Sequence, residues 1–335
     1  MNENPIKIGI TQGDINGIGL EVIMKALSDN KINEFCTPVV YGASKAASFH
    51  KSKLELQDFT MQVSKKLEQI NLKKSNFINI WEQEVTIELG QSSPQSDKLS
   101  EMALVSACKD LKSKEIDAIV TAPINPKNIQ TPTFKFKGQT EFFAQQFNAP
   151  NAMVILVAND LRVGLVSRHL PAAEVGKVLT KELILKRIKT LHQSLTVDFA
   201  CTNPTIAVLS LSSDGTDKSN TECLRPAIDQ AFSEHINAFG PFPADKFMQE
   251  KSYRKFDAVL AITNDQGMML FQSESKGEGV FFTAGMPIVL TAPEHDTRYD
   301  IAGQNKADAS SMRNAIYLAM DILKNRKIYS TYAKK

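Results

Sequence analysis

The stretch Asp257-Ala-Val-Leu-Ala-Ile-Thr-Asn-Asp-Gln-Gly267 sets an apolar run of buried-strand type against a polar turn, Asn264-Asp-Gln-Gly267. A strand that ends this way carries one carboxylate, Asp265, and two amides, Asn264 and Gln266, to a single sheet edge, which is where open α/β sheets hold ligands. Arg162-Val-Gly-Leu-Val-Ser-Arg-His-Leu-Pro171 repeats the pattern and delivers Arg168 and His169. A lone histidine in such a place is either a satisfied structural residue or a metal ligand, and residue types alone leave both open. Ala207-Val-Leu-Ser-Leu-Ser-Ser-Asp-Gly-Thr-Asp217 is a further strand with a polar end.

Thr11-Gln-Gly-Asp-Ile-Asn-Gly-Ile-Gly-Leu-Glu21 is a Gly-rich loop between the first strand and the first helix. Gly17 and Gly19 would let backbone amides approach an anion at a helix N-terminus. The spacing is neither the dinucleotide fingerprint nor a P-loop, and no Lys-Ser/Thr follows, so a phosphate cradle and a plain turn both stand. Thr121-Ala-Pro-Ile-Asn-Pro126 ends a strand in a polar turn, and Gly138-Gln-Thr-Glu141 offers Thr140 as a ligand hydroxyl or as a helix N-cap.

The elements that must position these residues alternate. Apolar runs predict strands at Ile6–Ile10, Pro38–Tyr41, Phe77–Ile80, Ala118–Thr121, Met153–Val157, Val163–Ser167, Ile206–Leu211, Ala258–Ile262 and Ile288–Thr291. Apolar residues at i, i+3, i+4 spacing predict helices at Leu20–Leu27, Ser100–Leu111, Thr140–Phe147, Thr180–Ser194, Glu222–Asn237 and Ala309–Lys324. The pattern is α/β, and with no repeat and no Pro/Gly/Ser linker it favours two lobes that share strands.

With 335 residues, 42% of them apolar, the chain has ample core for such a fold. Lys plus Arg is 39 and Asp plus Glu 37, a net charge of +2 that argues for neither a nucleic-acid nor a membrane partner. No apolar run reaches the roughly 18–20 residues of a membrane helix, and Met1–Ile10 is too short and polar for a signal segment, so a cytoplasmic protein is expected. Cys36, Cys108, Cys201 and Cys223 lack CxxC spacing and read as buried free thiols.

The Asp257–Gly267 stretch, Phe282-Thr-Ala-Gly-Met-Pro287 and Asp300-Ile-Ala-Gly-Gln-Asn-Lys306 together resemble the C-terminal third of the 4-hydroxythreonine-4-phosphate dehydrogenases of pyridoxal phosphate biosynthesis. The Thr11–Glu21 loop is similar to the opening motif of that family, and the likeness runs from Gly9 to about Leu323. It implies a two-lobed isocitrate/isopropylmalate dehydrogenase-like fold with a cleft between lobes: residues 1–125 plus 285–335 in one lobe, residues 126–284 in the other with a homodimer interface. It also implies NAD-dependent oxidation of a secondary alcohol followed by loss of CO₂, with a divalent metal polarising the developing ketone.

Residue by residue, the resemblance carries the family's three metal-binding histidines onto His169, Asp214 and Asn264. An imidazole, a carboxylate and an amide prefer Mg²⁺ or Mn²⁺ to Zn²⁺. Asp245 and Asp265 match acidic residues kept near the substrate, and Gln139 and Thr140 match its His-Thr contact. The family's phosphate anchors, a Lys, an Asn and an Arg, fall on Gln272, Phe281 and Leu290, which supply no cation. Little turnover of the phosphorylated substrate is therefore expected unless Arg168, Lys276 or Arg298 brings a replacement charge. His295, Thr297, Asp300 and Lys306 match the adenosine-side loop of NAD, where Asp296 replaces a glycine and calls for Arg298 to neutralise it. An active dehydrogenase acting on a small-molecule substrate, the family's own or an altered, unphosphorylated hydroxy acid, and a catalytically silent binding or scaffolding protein are the two functions that fit.

Overall fold

The computed structural model describes residues 5–56, 58–126, 129–130, 134–168, 170, 172–212 and 218–333. In chain order its strands are β1 Lys7–Thr11, β2 Thr37–Gly42, β3 Gln62–Ser64, β4 Asn76–Asn79, β5 Ala118–Thr121, β6 Met153–Ala158, β7 Leu161–Leu165, β8 Thr205–Leu209, β9 Asn237–Phe242, β10 Ala258–Ala261, β11 Val280–Ala284 and β12 Val289–Pro293. The α-helices are α1 Gly19–Leu27, α2 Ile32–Phe35, α3 Ser44–Lys53, α4 Pro94–Lys112, α5 Gln139–Gln146, α6 Ala172–Val178, α7 Lys181–Val197, α8 Arg225–Ser233, α9 Ala244–Gln249, α10 Asn264–Ser275 and α11 Ser310–Tyr332.

These elements form two compact units, Met1–Asn148 with Ile288–Met320 and Ala149–Pro287 with Asp321–Lys335. In the first, the strand order β3-β4-β2-β1-β5-β12 is parallel throughout. Parallel strands covered on both faces must be apolar along their length. Every residue of β2 and β5 is buried, as that rule requires.

In the second unit the order is β11-β6-β7-β10-β8-β9. The β11/β6 and β6/β7 pairs are antiparallel, while β7, β10, β8 and β9 run parallel. Its core joins Leu156 of β6, Val163 and Leu165 of β7 and Val259 of β10 to Phe247 of α9 and to Leu270 and Phe271 of α10.

Several sequence expectations need correction. Asn264-Asp265-Gln266-Gly267 is the first turn of α10 rather than a loop, because Thr263 and Gln266 make a reciprocal capping box. The helix expected over Glu222–Asn237 ends at Ser233, since His235 adopts a left-handed backbone and Asn237 opens β9. Three strands lacked a readable signal: β3 is three residues with two exposed, β9 contains Gly240-Pro241, and β11 lies inside a stretch read as a motif. Cys201 and Cys223 are half-buried rather than buried.

Candidate active site

Four parallel strands of the second unit end at one edge, and their ends are tied together by hydrogen bonds. The Gln266 side chain is the principal tie. Its Oε1 accepts from the backbone N–H groups of Ile262 and Thr263 at 3.2 Å each, and its Nε2 donates to the Ser210 carbonyl at 2.7 Å, joining β10 to β8. Val166 N donates to the Ala261 carbonyl at 2.9 Å, joining β7 to β10, and Ser210 N donates to Phe242 O at 2.7 Å, joining β8 to β9.

Asn264, half-buried, and Asp265, exposed, emerge at this edge in the first turn of α10. Asp245 reaches it from the exposed first turn of α9. A bulge precedes α9. Gly240 has φ +126°, and a Cβ there would stand 2.5 Å from the Val208 carbonyl, so the register shift between β8 and β9 needs glycine. His169 and Asp214 lie outside the described residues. Beside them in sequence, the hydroxyls of Ser167 and Ser212 are buried without a hydrogen-bond partner at the ends of β7 and β8. Among the described residues no three His, Cys, Asp or Glu side chains cluster as metal ligands.

Arg168 turns back from the end of β7, and its guanidinium stands 5.7 Å from the centroid of the Phe281 ring. Phe281 in turn packs on Phe271 of α10 with centroids 5.6 Å apart. Gln272 follows on the same helix and is exposed, while Leu290 sits within β12 at 3% exposure.

The first unit holds Gln139, Thr140 and the loop of residues 293–308. Gln139 opens α5 and donates through Nε2 to the Ala122 carbonyl at 2.9 Å, which fastens it to the polar turn after β5. Gly138 holds the N-cap position, so Thr140 is the second residue of the helix rather than its cap. In the loop, the Asp296 carboxylate accepts the Arg298 backbone N–H at 2.9 Å, and the Arg298 guanidinium grips Asp300 with two bonds of 2.9 Å. His295, held below its ordinary pKa chiefly by burial, is neutral near pH 7 and sits 3.1 Å from the Asp308 carbonyl. Thr297 is buried and its carbonyl accepts Ile18 N at 3.0 Å; Lys306 donates to Gln304.

That contact with Ile18 gives the Gly-rich loop a structural role. Residues 11–20 are all buried, and a Cβ at Gly17 would come within 2.5 Å of the Thr297 carbonyl, so the glycine admits protein backbone. The same loop anchors a polar cluster whose members the sequence left scattered. Asp14 accepts from the Tyr299 hydroxyl at 2.6 Å, from Asn16 N at 2.8 Å and from the Ser96 hydroxyl. Tyr299 also bonds Asn125 and Ser92, and burial together with Asp14 pushes its pKa up to about 12. Asp97 is raised to about 6 by burial first and the charge of Asp14 second. The readable signals were the Gly13-Asp14 and Tyr299-Asp300 pairs, but nothing in one dimension says that they meet.

Two α/β units of this strand order make a fold of the isocitrate/isopropylmalate dehydrogenase type. A β-decarboxylating dehydrogenase from Thermococcus kodakarensis superposes with TM-score 0.53 over 95% of this chain and 84% of its own at 13% identity, a likeness of fold alone. The chain belongs to the PdxA family of pyridoxal phosphate biosynthetic proteins, whose profile matches residues 34–319. It is 39% identical over 333 residues, 98% of this chain and 91% of the relative, to a 4-hydroxythreonine-4-phosphate dehydrogenase of Bacteroides thetaiotaomicron. A crystal structure of a 4-hydroxythreonine-4-phosphate dehydrogenase from Burkholderia phymatum superposes with TM-score 0.76 at 26% identity, over 96% of this chain and 99% of that one.

Proposed function

We propose that this chain is an NAD-dependent dehydrogenase of pyridoxal phosphate biosynthesis, oxidising the secondary alcohol of 4-hydroxythreonine 4-phosphate or a close relative before loss of CO₂. The observation that carries the reading is the tying of the β7, β10 and β8 ends by Gln266 and Val166 at the edge where Asn264 and Asp265 emerge, on a chain of this family.

Asp265 and Asp245 are the groups assigned to proton transfer. The alcohol must lose its O–H proton as its C–H bond breaks, and an exposed carboxylate at the strand-end edge serves as acceptor. His169, Asp214 and Asn264 would hold a divalent ion. That donor set suits Mg²⁺ or Mn²⁺ better than Zn²⁺, and the partnerless hydroxyls of Ser167 and Ser212 support a polar ligand at the same edge. Bound, the ion would polarise the substrate oxygen and NAD would take the hydride. His295, Thr297, Asp300 and Lys306 would hold NAD. The Asp296 carboxylate accepts the Arg298 backbone N–H, while the Arg298 guanidinium expected to neutralise it is held by Asp300 instead. Gln139 and Thr140 would orient the substrate.

A cytoplasmic homodimer completes the reading. No observation favours a silent scaffold. The test is NADH formation from 4-hydroxythreonine 4-phosphate with Mg²⁺, Mn²⁺ or Zn²⁺ supplied in turn. A kcat/KM of roughly 10⁴ M⁻¹s⁻¹ or above supports the proposal, and no NADH with any of the three overturns it.

A further inference from the structure

We infer that Tyr299 is a positioning residue of the reaction: together with Asp14 it clamps the turn of residues 122–126 after β5, and through that turn it sets where Gln139 meets the substrate; the inference rests on the dehydrogenase reading above. The turn is poorly equipped to hold itself. Two of its five residues, Pro123 and Pro126, lack a backbone N–H, and the pairing of β5 with β1 runs out at Thr121, beyond which Ala122 N still reaches the Thr11 carbonyl at 3.2 Å. What fixes the rest arrives from other segments of the same unit. Asp14 N donates to the Pro123 carbonyl at 2.9 Å, and the Tyr299 hydroxyl meets the Asn125 side chain. The approach is close enough to need glycine beside Asp14: Gly13 has φ +71°, and a Cβ there would stand 2.4 Å from the Pro123 carbonyl.

Asp14 makes a rigid base for this clamp. It is 1% exposed, and one carboxylate oxygen accepts from Asn16 N at 2.8 Å and from the Ser96 hydroxyl, which itself accepts Ile15 N at 3.1 Å. The other oxygen takes the Tyr299 hydroxyl at 2.6 Å. A phenol has one proton to give and lone pairs to receive with. Tyr299 gives its proton to Asp14 and receives from Asn125 and Ser92, so one hydroxyl joins the loop of residues 293–308 to the turn and to the segment that leads into α4. On the far side of the turn, the Ala122 carbonyl receives Gln139 Nε2 at 2.9 Å. With Nε2 committed there, Oε1 is the atom that Gln139 offers a ligand, and among the described residues it has no partner. Any drift of the turn moves the Ala122 carbonyl and swings that amide with it.

The experiment measures kcat and KM for 4-hydroxythreonine 4-phosphate in Tyr299→Phe, Gln139→Ala, the double variant and a control. The control is Tyr41→Phe, which loses a 2.9 Å hydroxyl–carboxylate bond to Asp110 in the same unit. Tyr299→Phe keeps the ring and is expected to raise KM by about three- to tenfold with kcat within about twofold, whereas Tyr41→Phe should leave KM within about twofold. Because Tyr299 acts through Gln139, adding Tyr299→Phe to Gln139→Ala should change KM by less than about twofold. Full additivity in the double variant would mean that the effect reaches the substrate by another route, and it overturns the inference while leaving the dehydrogenase reading intact. So does a KM for Tyr299→Phe that matches the unmodified value or the control. If the unmodified protein forms no NADH, the dehydrogenase reading falls, and amide exchange across residues 139–146 still judges the link: rates equal in the unmodified protein and Tyr299→Phe overturn it, and exchange about threefold faster or more in the variant, with none in Tyr41→Phe, upholds it.

Discussion

Gln266→Ala removes one side chain and three hydrogen bonds that hold the candidate site together: two N–H groups accepted at 3.2 Å and one donation to the Ser210 carbonyl at 2.7 Å. A net hydrogen bond contributes about 0.5–1.5 kcal/mol, and a partner left without one adds a desolvation cost unless water replaces it. Because Gln266 is half-buried, water reaches part of the gap, and the expected loss is about 2–3 kcal/mol. Two compact units make a single global unfolding energy ill-defined, so the informative assay is local hydrogen exchange. Amides of the peptide 258–275 should exchange about 30- to 150-fold faster in the variant, since each 1.4 kcal/mol is a factor of ten. Peptides of β1 and β2 should not change. Gln266→Glu makes a sharper control: it keeps the acceptor for Ile262 and Thr263 but turns a carboxylate oxygen toward the Ser210 carbonyl, and should loosen β8 while leaving the start of α10 capped. Exchange within threefold of the unmodified protein across 258–275 in Gln266→Ala would refute the claim that this side chain joins the strand ends.

Other outcomes follow from the same residues. Asp97 has a folded-state pKa of about 6, above its unfolded value, so the native state holds an extra proton between roughly pH 4 and 6 and stability declines as pH rises through that window. Asp97→Asn should flatten this decline, leaving the variant about 2 °C or more ahead of the unmodified protein in melting temperature at pH 7.5 relative to pH 4.5; an unchanged pH slope would count against the assignment. Asp265→Asn should lower kcat by about 10²-fold or more with little change in the KM for NAD, and activity within fivefold of the unmodified enzyme would remove Asp265 from the proton transfer. Asp214→His combined with Asn264→His should raise zinc affinity, measured by competition with a chromogenic chelator, because imidazole suits zinc better than an amide; stoichiometric tight zinc in the unmodified protein would contradict the expected preference for harder ions.

The fold was legible wherever burial imposed an apolar run. All nine expected strands coincide with observed ones to within a few residues, because a strand covered on both faces has no alternative to apolar side chains. What escaped were elements whose stability comes from partners. α3 is polar at seven of its ten positions and is fixed by its neighbours, and α10 begins with four polar or flexible residues capped by the Thr263–Gln266 box. The candidate site divides the same way. Asp265 and Asn264 could be placed at a strand end from their neighbours in the chain. The Arg168–Phe281 contact and the Asp14–Tyr299 bond join residues 113 and 285 positions apart and have no signature in one dimension.

The return of the chain to its first unit has a consequence for synthesis. β12 pairs with β5 in the register Val289↔Ala118, a separation of 289 − 118 = 171 residues. At a translation rate of about 5–20 residues per second, roughly 10–35 s pass between the emergence of one strand and the arrival of its neighbour. Throughout that interval β5, every residue of which is buried in the finished protein, presents a bare apolar edge of the kind that recruits foreign strands. The second unit's β6 to β11 are made within the same interval, so most of that unit can fold while the first still waits for its last strand. A chaperone that binds the nascent protein should therefore act on the β5 edge, and release it once Val289–Pro293 has left the ribosome.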